Sequence, residues 1–125
     1  MGVVRPPQPM RTRSSATLVA SHRTHGARLV LELCGEADIT TEAMLREELA
    51  AACANADALV VDVSALRFCD VRSAHHILTA DRVVPVTVVG AAGPVARVFD
   101  LLHAWRERGR APVRDGPAAR PASTT

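Results

Sequence analysis

The stretch Leu59-Val-Val-Asp-Val-Ser-Ala-Leu-Arg-Phe-Cys-Asp-Val-Arg-Ser-Ala74 decides the reading of this chain. Leu59, Val60, Val61 and Val63 form a nearly unbroken apolar run, the pattern of a strand covered on both faces in a mostly parallel sheet. Ala58 to Val63 is therefore predicted as a buried strand, with Phe68 and Cys69 re-entering the core just before a polar tip. Asp70 carries a short carboxylate that can accept the free N–H groups of a helix's first turn, so the tip doubles as a helix N-cap. The helix it opens is expected to run to about Asp81, with Ala74, Ile77 and Leu78 inward. Recognition or chemistry is expected at this strand-to-helix tip.

Upstream, Ala16 to His22 and Ala27 to Cys34 are two β-type runs joined by a short polar link containing Gly26. A loop that short joins antiparallel strands, so the pair reads as a hairpin. Leu29, Leu31 and Leu33 fall on one face of the second strand. Asp38, Thr40 and Thr41 offer N-cap oxygens to a helix ending near Ala54, with Met44, Leu45, Leu49 and Ala52 inward and Glu42, Arg46, Glu47 and Glu48 on the wet side. Downstream, Arg82 to Gly90 reads as a strand at an edge or with an irregular start, because Pro85 lacks a ladder donor. Gly93-Pro94 opens a third helix, proline suiting its first position. Val95, Val98, Phe99 and Leu102 follow at i, i+3, i+4 and i+7.

The Asp70 tip, together with Gly35-Glu36-Ala37-Asp38, Val86-Thr-Val-Val-Gly90 and Gly93-Pro94-Val-Ala-Arg-Val98, resembles the STAS family, the domain of bacterial anti-sigma-factor antagonists. The resemblance spans roughly residues 16 to 104. It implies an α/β fold: a mixed β-sheet with an N-terminal hairpin and packed helices. The family's final strand and helix look trimmed here, since Pro and Gly interrupt the sequence beyond Arg106, and Ala111 to Arg114 offers at most a stub of strand. The expected organisation is a disordered tail over residues 1–15, a STAS-like domain over 16–106, and an Arg/Pro/Ala-rich tail over 107–125. The family's signature places a phosphorylated serine directly after the Asp, where this chain has Val71, with Arg72 and Ser73 following. Valine has no acceptor oxygen. Ser73, the nearest hydroxyl, lies about 200° further around the helix and reads as a first-turn residue more readily than as a displaced phosphosite. The resemblance implies a non-enzymatic regulator that binds an anti-sigma factor or a switch-kinase-like protein, with Asp38, Thr40, Asp70, Val71, Arg72, Ser73, His75 and His76 as the partner-binding surface. A helix-capping role for Asp38 and Asp70 stands beside that reading.

Composition narrows the alternatives. A chain of 125 residues, 48% hydrophobic but 2% aromatic, holds one domain with a core of Ala, Val and Leu. All fifteen basic residues are arginine; residues 16–105 have seven of them against eleven Asp and Glu, and the surplus of positive charge lies in the tails. Without interleaved aromatics those tails are a poor nucleic-acid signature, so no nucleic-acid partner is expected. No run approaches the length of a membrane span, and no signal-peptide core stands at the N-terminus. With Cys34, Cys53 and Cys69 odd in number and lacking Cys-x-x-Cys spacing, a cytoplasmic protein with free thiols is expected. No cofactor is implied. Adjacent His75 and His76 point about 100° apart on a helix and are ill placed to share a metal ion. A receiver-type phosphoacceptor site needs a lysine that this chain lacks, and neither Gly-x-Ser-x-Gly nor a Gly-x-x-x-x-Gly-Lys loop is present. Two other readings remain: a small-ligand or nucleotide sensor module, and a scaffolding subunit of a larger assembly. A less covered sheet edge also leaves self-association open.

Overall fold

The computed structural model describes residues 11–110. Strands β1 (Arg11–Ser15), β2 (Leu18–His25) and β3 (Arg28–Ala37) form an antiparallel meander; helix α1 (Glu42–Ala54) leads to β4 (Ala58–Cys69), and α2 (Val71–Thr79) leads through a 3₁₀ turn (Ala80–Arg82) to β5 (Val86–Val89) and α3 (Gly93–Arg110). The sheet order is β1-β2-β3-β4-β5, with β3, β4 and β5 parallel. This is the mixed α/β architecture expected from the sequence.

Burial alternates along the strands in register. Leu18, Ala20 and His22 of β2 lie beside Leu29, Leu31 and Leu33 of β3; Leu29 pairs with Leu59 and Leu31 with Val61 of β4, and Val63 is buried with them. Onto that face pack Met44, Leu45, Leu49 and Ala52 of α1, Ala74, Ile77 and Leu78 of α2, and Val95, Phe99 and Leu102 of α3. Val30, Val60 and Asp62 face the other way and are only partly covered. Among the described residues β4 is therefore not covered on both faces, as its valine run suggested; one helical layer packs on the sheet.

β4 also continues beyond the expected end at Val63. Its buried residues are Leu59, Val61, Val63, Leu66 and Cys69, a spacing of two that becomes three after Val63. Register shifts against β3 fall where Glu32/Cys34 meets Asp62/Ala65 and where Gly35/Glu36 meets Leu66/Phe68. β4 has an extra residue at each, and such bulges turn the following side chains by one position. Asp62 braces the first, its Oδ1 accepting from Ser64 N at 2.9 Å and Ser64 Oγ at 2.7 Å. The second corrects an expectation: Phe68 is turned out to solvent while Cys69 turns in. Opposite it, Gly35 sits at φ +108°, where a Cβ would overlap the Thr17 carbonyl oxygen, so this position admits only glycine.

Other boundaries move as well. Residues 11–15, expected in the N-terminal tail, form edge strand β1, paired from Arg11↔His22 to Ser15↔Leu18. Arg13 anchors it, bonding Glu47 at 2.8 Å and Glu48 at 3.1 Å on α1. Glu48 belongs to the core and not to the wet side of α1: it is buried with His22, the two side chains 2.6 Å apart. Burial pushes the Glu48 carboxyl up, but hydrogen bonds with His22 and Arg13 outweigh it and hold it below its ordinary value. Residues 82–85 are a 3₁₀ end and a loop, and β5 begins only at Val86, after Pro85. Helix α3 continues through residues 107–110, past the expected boundary, and Ala111 to Arg114 lies outside the described residues.

Candidate functional site

Parallel β3 and β4 end side by side, Ala37 opposite Cys69. The Asp70 N–H donates to the Ala37 carbonyl at 3.0 Å, tying the exits of the two strands together. At the β3 exit, Asp38 Oδ1 accepts from Thr40 N at 2.9 Å and Thr40 Oγ1 at 2.6 Å. That is an Asx-type turn, a local alternative to continuing the strand. Thr41 is buried and occupies the N-cap position of α1 without a side-chain cap; its Oγ1 accepts from Asp38 N at 3.0 Å. At the β4 exit, Asp70 is extended (φ −79°, ψ 169°) and its Oδ1 accepts from Ser73 N at 2.7 Å, capping α2. The capping role of Asp70 is thus realised, while Asp38 shapes the turn before α1.

The expected surface residues separate into those that face solvent and those that do not. Val71, the first residue of α2, is 42% exposed, and Arg72 and His75 are exposed. Ser73 is 1% exposed, and its Oγ has no hydrogen-bond partner among the described residues. Its expected place on the partner-binding surface is therefore corrected: in this first turn of α2 its side chain points into the core. Arg72 and His76, one turn apart on α2, both reach Glu42 of α1, Arg72 Nε at 2.9 Å and His76 Nε2 at 2.6 Å. Hydrogen bonds with His76 and then Arg72 hold the Glu42 carboxyl below its ordinary value. His75 is turned away, its ring centroid 6.4 Å from that of His76. No group of three metal-ligating side chains occurs among the described residues.

Three functional candidates escaped the sequence reading. Ile39 is 76% exposed and Phe68 48% exposed, and with Val71 they lie within two residues of the Ala37–Asp70 hydrogen bond. The paired strand exits thus carry three exposed apolar side chains beside two carboxylates already committed to their local turns. Ile39 carried a signal, as a large apolar residue inside the polar turn Asp38-Ile39-Thr40; Phe68 carried none, since the bulge that turns it out has no distinct sequence mark. Glu42, read as a wet-side residue, joins α1 to α2.

The family described as Mlab, STAS domain, matches residues 20–106. The chain belongs to the STAS family. Among solved structures, an anti-sigma factor antagonist from Mycobacterium paratuberculosis is similar at 24% identity and TM-score 0.64, over 76% of this chain and 86% of that one. The anti-sigma factor antagonist SpoIIAA in its unphosphorylated form is similar at 15% identity and TM-score 0.54, over 85% of this chain and the whole of the other. No match is found among the curated proteins. At these identities the likeness to the solved structures is one of fold, a mixed sheet with packed helices. No helix among the described residues is long and apolar enough to cross a membrane.

Proposed function

We propose that this STAS domain is a non-enzymatic, cytoplasmic regulator that binds an anti-sigma factor or a related switch-kinase-like protein through the β4-to-α2 junction, as an anti-sigma-factor antagonist does, and that phosphorylation of this junction does not switch it. The observation carrying the reading is the exposed apolar cluster of Ile39, Phe68 and Val71. Isolated exposed apolar side chains are ordinary, but grouped ones mark surfaces that dock. Val71 stands directly after the capping Asp70 and has no hydroxyl, while Ser73 is buried. A partner meeting this surface therefore meets an apolar centre at all times, with Arg72 and His75 at its margin. Amount of protein or competition, not a phosphate, would set occupancy.

The test pairs the purified domain with anti-sigma factors encoded in the same genome and measures binding by calorimetry. At least one is expected to bind, with Phe68→Ala and Val71→Asp each weakening binding at least tenfold and leaving the melting temperature within a few degrees. Absence of binding to every candidate, or binding indifferent to both substitutions, would overturn the reading. Incubation with the partner and ATP is expected to leave the junction unmodified, and a phosphate located on Ser73 by mass spectrometry would refute the unswitched part.

A further inference from the structure

Beside the junction, between α1 and the end of α2, lies an open groove of about 430 Å³ whose lining includes Arg46, Leu49, Cys53 and Val83, with His76 and Thr79 among its polar groups. Its floor is apolar, and Val83 at its far rim is 69% exposed. Its near end carries Arg46 and His76, the latter bonded to Glu42. Each carboxylate of α1 is engaged by another element: Glu42 by Arg72 and His76, Glu47 by Arg13, Glu48 by Arg13 and His22. Arg46, among the described residues, has no anionic partner. The helix thus presents one uncompensated guanidinium at the mouth of an apolar trough. From Arg46 to Ala54, the last α1 residue lining it, the trough runs about 12 Å at the rise of an α-helix.

We propose that this groove is a binding site for a small amphipathic monocarboxylate, a medium-length alkyl or acyl acid, with the carboxylate on Arg46 and the chain along Leu49, Cys53 and Ala80 towards Val83. The fork of a guanidinium matches a carboxylate with two parallel hydrogen bonds. Glu42 at the same end is engaged by Arg72 and His76, so Arg46 offers the groove a single positive charge, matching one carboxylate. The groove is open, and its lining is mostly apolar with a few placed polar groups, the character of small-ligand sites. The site is separate from the Ile39–Phe68–Val71 cluster and does not depend on the partner proposed above.

Cys53 gives a direct readout. Its thiol lines the groove, Cys34 is exposed on the opposite face of the sheet, and Cys69 is buried, so the three report separately. The full chain is labelled with a maleimide at fixed pH, with and without decanoate, and each cysteine is followed by mass spectrometry. Decanoate is expected to slow labelling of Cys53 at least fivefold and to leave Cys34 unchanged. Arg46→Gln should raise the concentration needed about tenfold, and Ala50→Trp, which fills the trough from an exposed helix position, should abolish protection. Decyltrimethylammonium, with the same chain and the opposite charge, should protect far less. Unchanged Cys53 labelling, equal protection by the cationic amphiphile, or protection undiminished in Arg46→Gln would each overturn the proposal.

Discussion

Ser73 is the residue at which burial and hydrogen bonding disagree. Its backbone N–H is satisfied by Asp70, yet among the described residues its buried hydroxyl has no partner, and an unsatisfied buried hydroxyl costs on the order of 1–3 kcal/mol. Ser73→Ala is therefore expected to raise stability by about 1 kcal/mol, read as a higher denaturant midpoint at unchanged slope; a lower midpoint would mean that the hydroxyl is satisfied in solution. Asp70→Ala removes the cap of the same helix and should cost about 1 kcal/mol. The sequence made Asp70 legible, because a short carboxylate before an apolar helix pattern has a local meaning. It left Ser73 ambiguous, because the direction of a first-turn residue depends on how α2 is rolled against the sheet. Gly35 shows the same limit: its motif was legible, but its necessity comes from Thr17, across the hairpin.

Between elements, the Arg13–Glu48–His22 cluster joins β1, α1 and β2 across the edge of the core. The charged face drawn for α1 from helical spacing failed at Glu48, because His22 and Arg13 come from strands that periodicity treats as unrelated. Removing Glu48 leaves the buried His22 without its hydrogen-bond partner, while half-exposed Arg13 keeps Glu47, a loss on the order of 1–3 kcal/mol. Glu48→Ala should show it at pH 7, whereas exposed Glu47→Ala should change stability by less than about 1 kcal/mol. The pH dependence has a definite sign. A carboxyl held lower in the fold than in the unfolded chain contributes stability above its unfolded value, and that contribution is lost as pH falls through the lower folded one. The gap between wild type and Glu48→Ala should thus narrow below about pH 4, and a gap constant down to pH 2 would contradict the account. Arg13→Ala should loosen β1 first, seen as faster amide exchange in β1 while the β3–β4 pairs keep their protection.

Among the described residues, the core lies between one face of a five-stranded sheet and a single layer formed by α1, α2 and α3. The order of strands and helices was legible from periodicity, since hairpin, crossover and amphipathic helix each leave a local pattern. The single-sided covering was not: a run of valines is as compatible with a half-open strand as with a sandwiched one, and only the partners of Val60 and Asp62 decide. A one-layer core makes each helix indispensable, α3 most testably. Val95, Phe99 and Leu102 are each almost fully buried, and burying such side chains contributes roughly 1.5–3 kcal/mol apiece, together comparable with the roughly 5–15 kcal/mol by which a whole domain is stable. Arg106 adds a tie to α2, its Nη1 donating to the Leu78 carbonyl at 3.2 Å. Ending the chain after Gly93 should therefore abolish the cooperative thermal transition in circular dichroism. Ending it after Arg110 should keep that transition within a few degrees, because all the packing just described is retained. If the shorter deletion alone destroys cooperativity, residues beyond 110 complete the core, and the unit that folds is larger than the helical layer and sheet described.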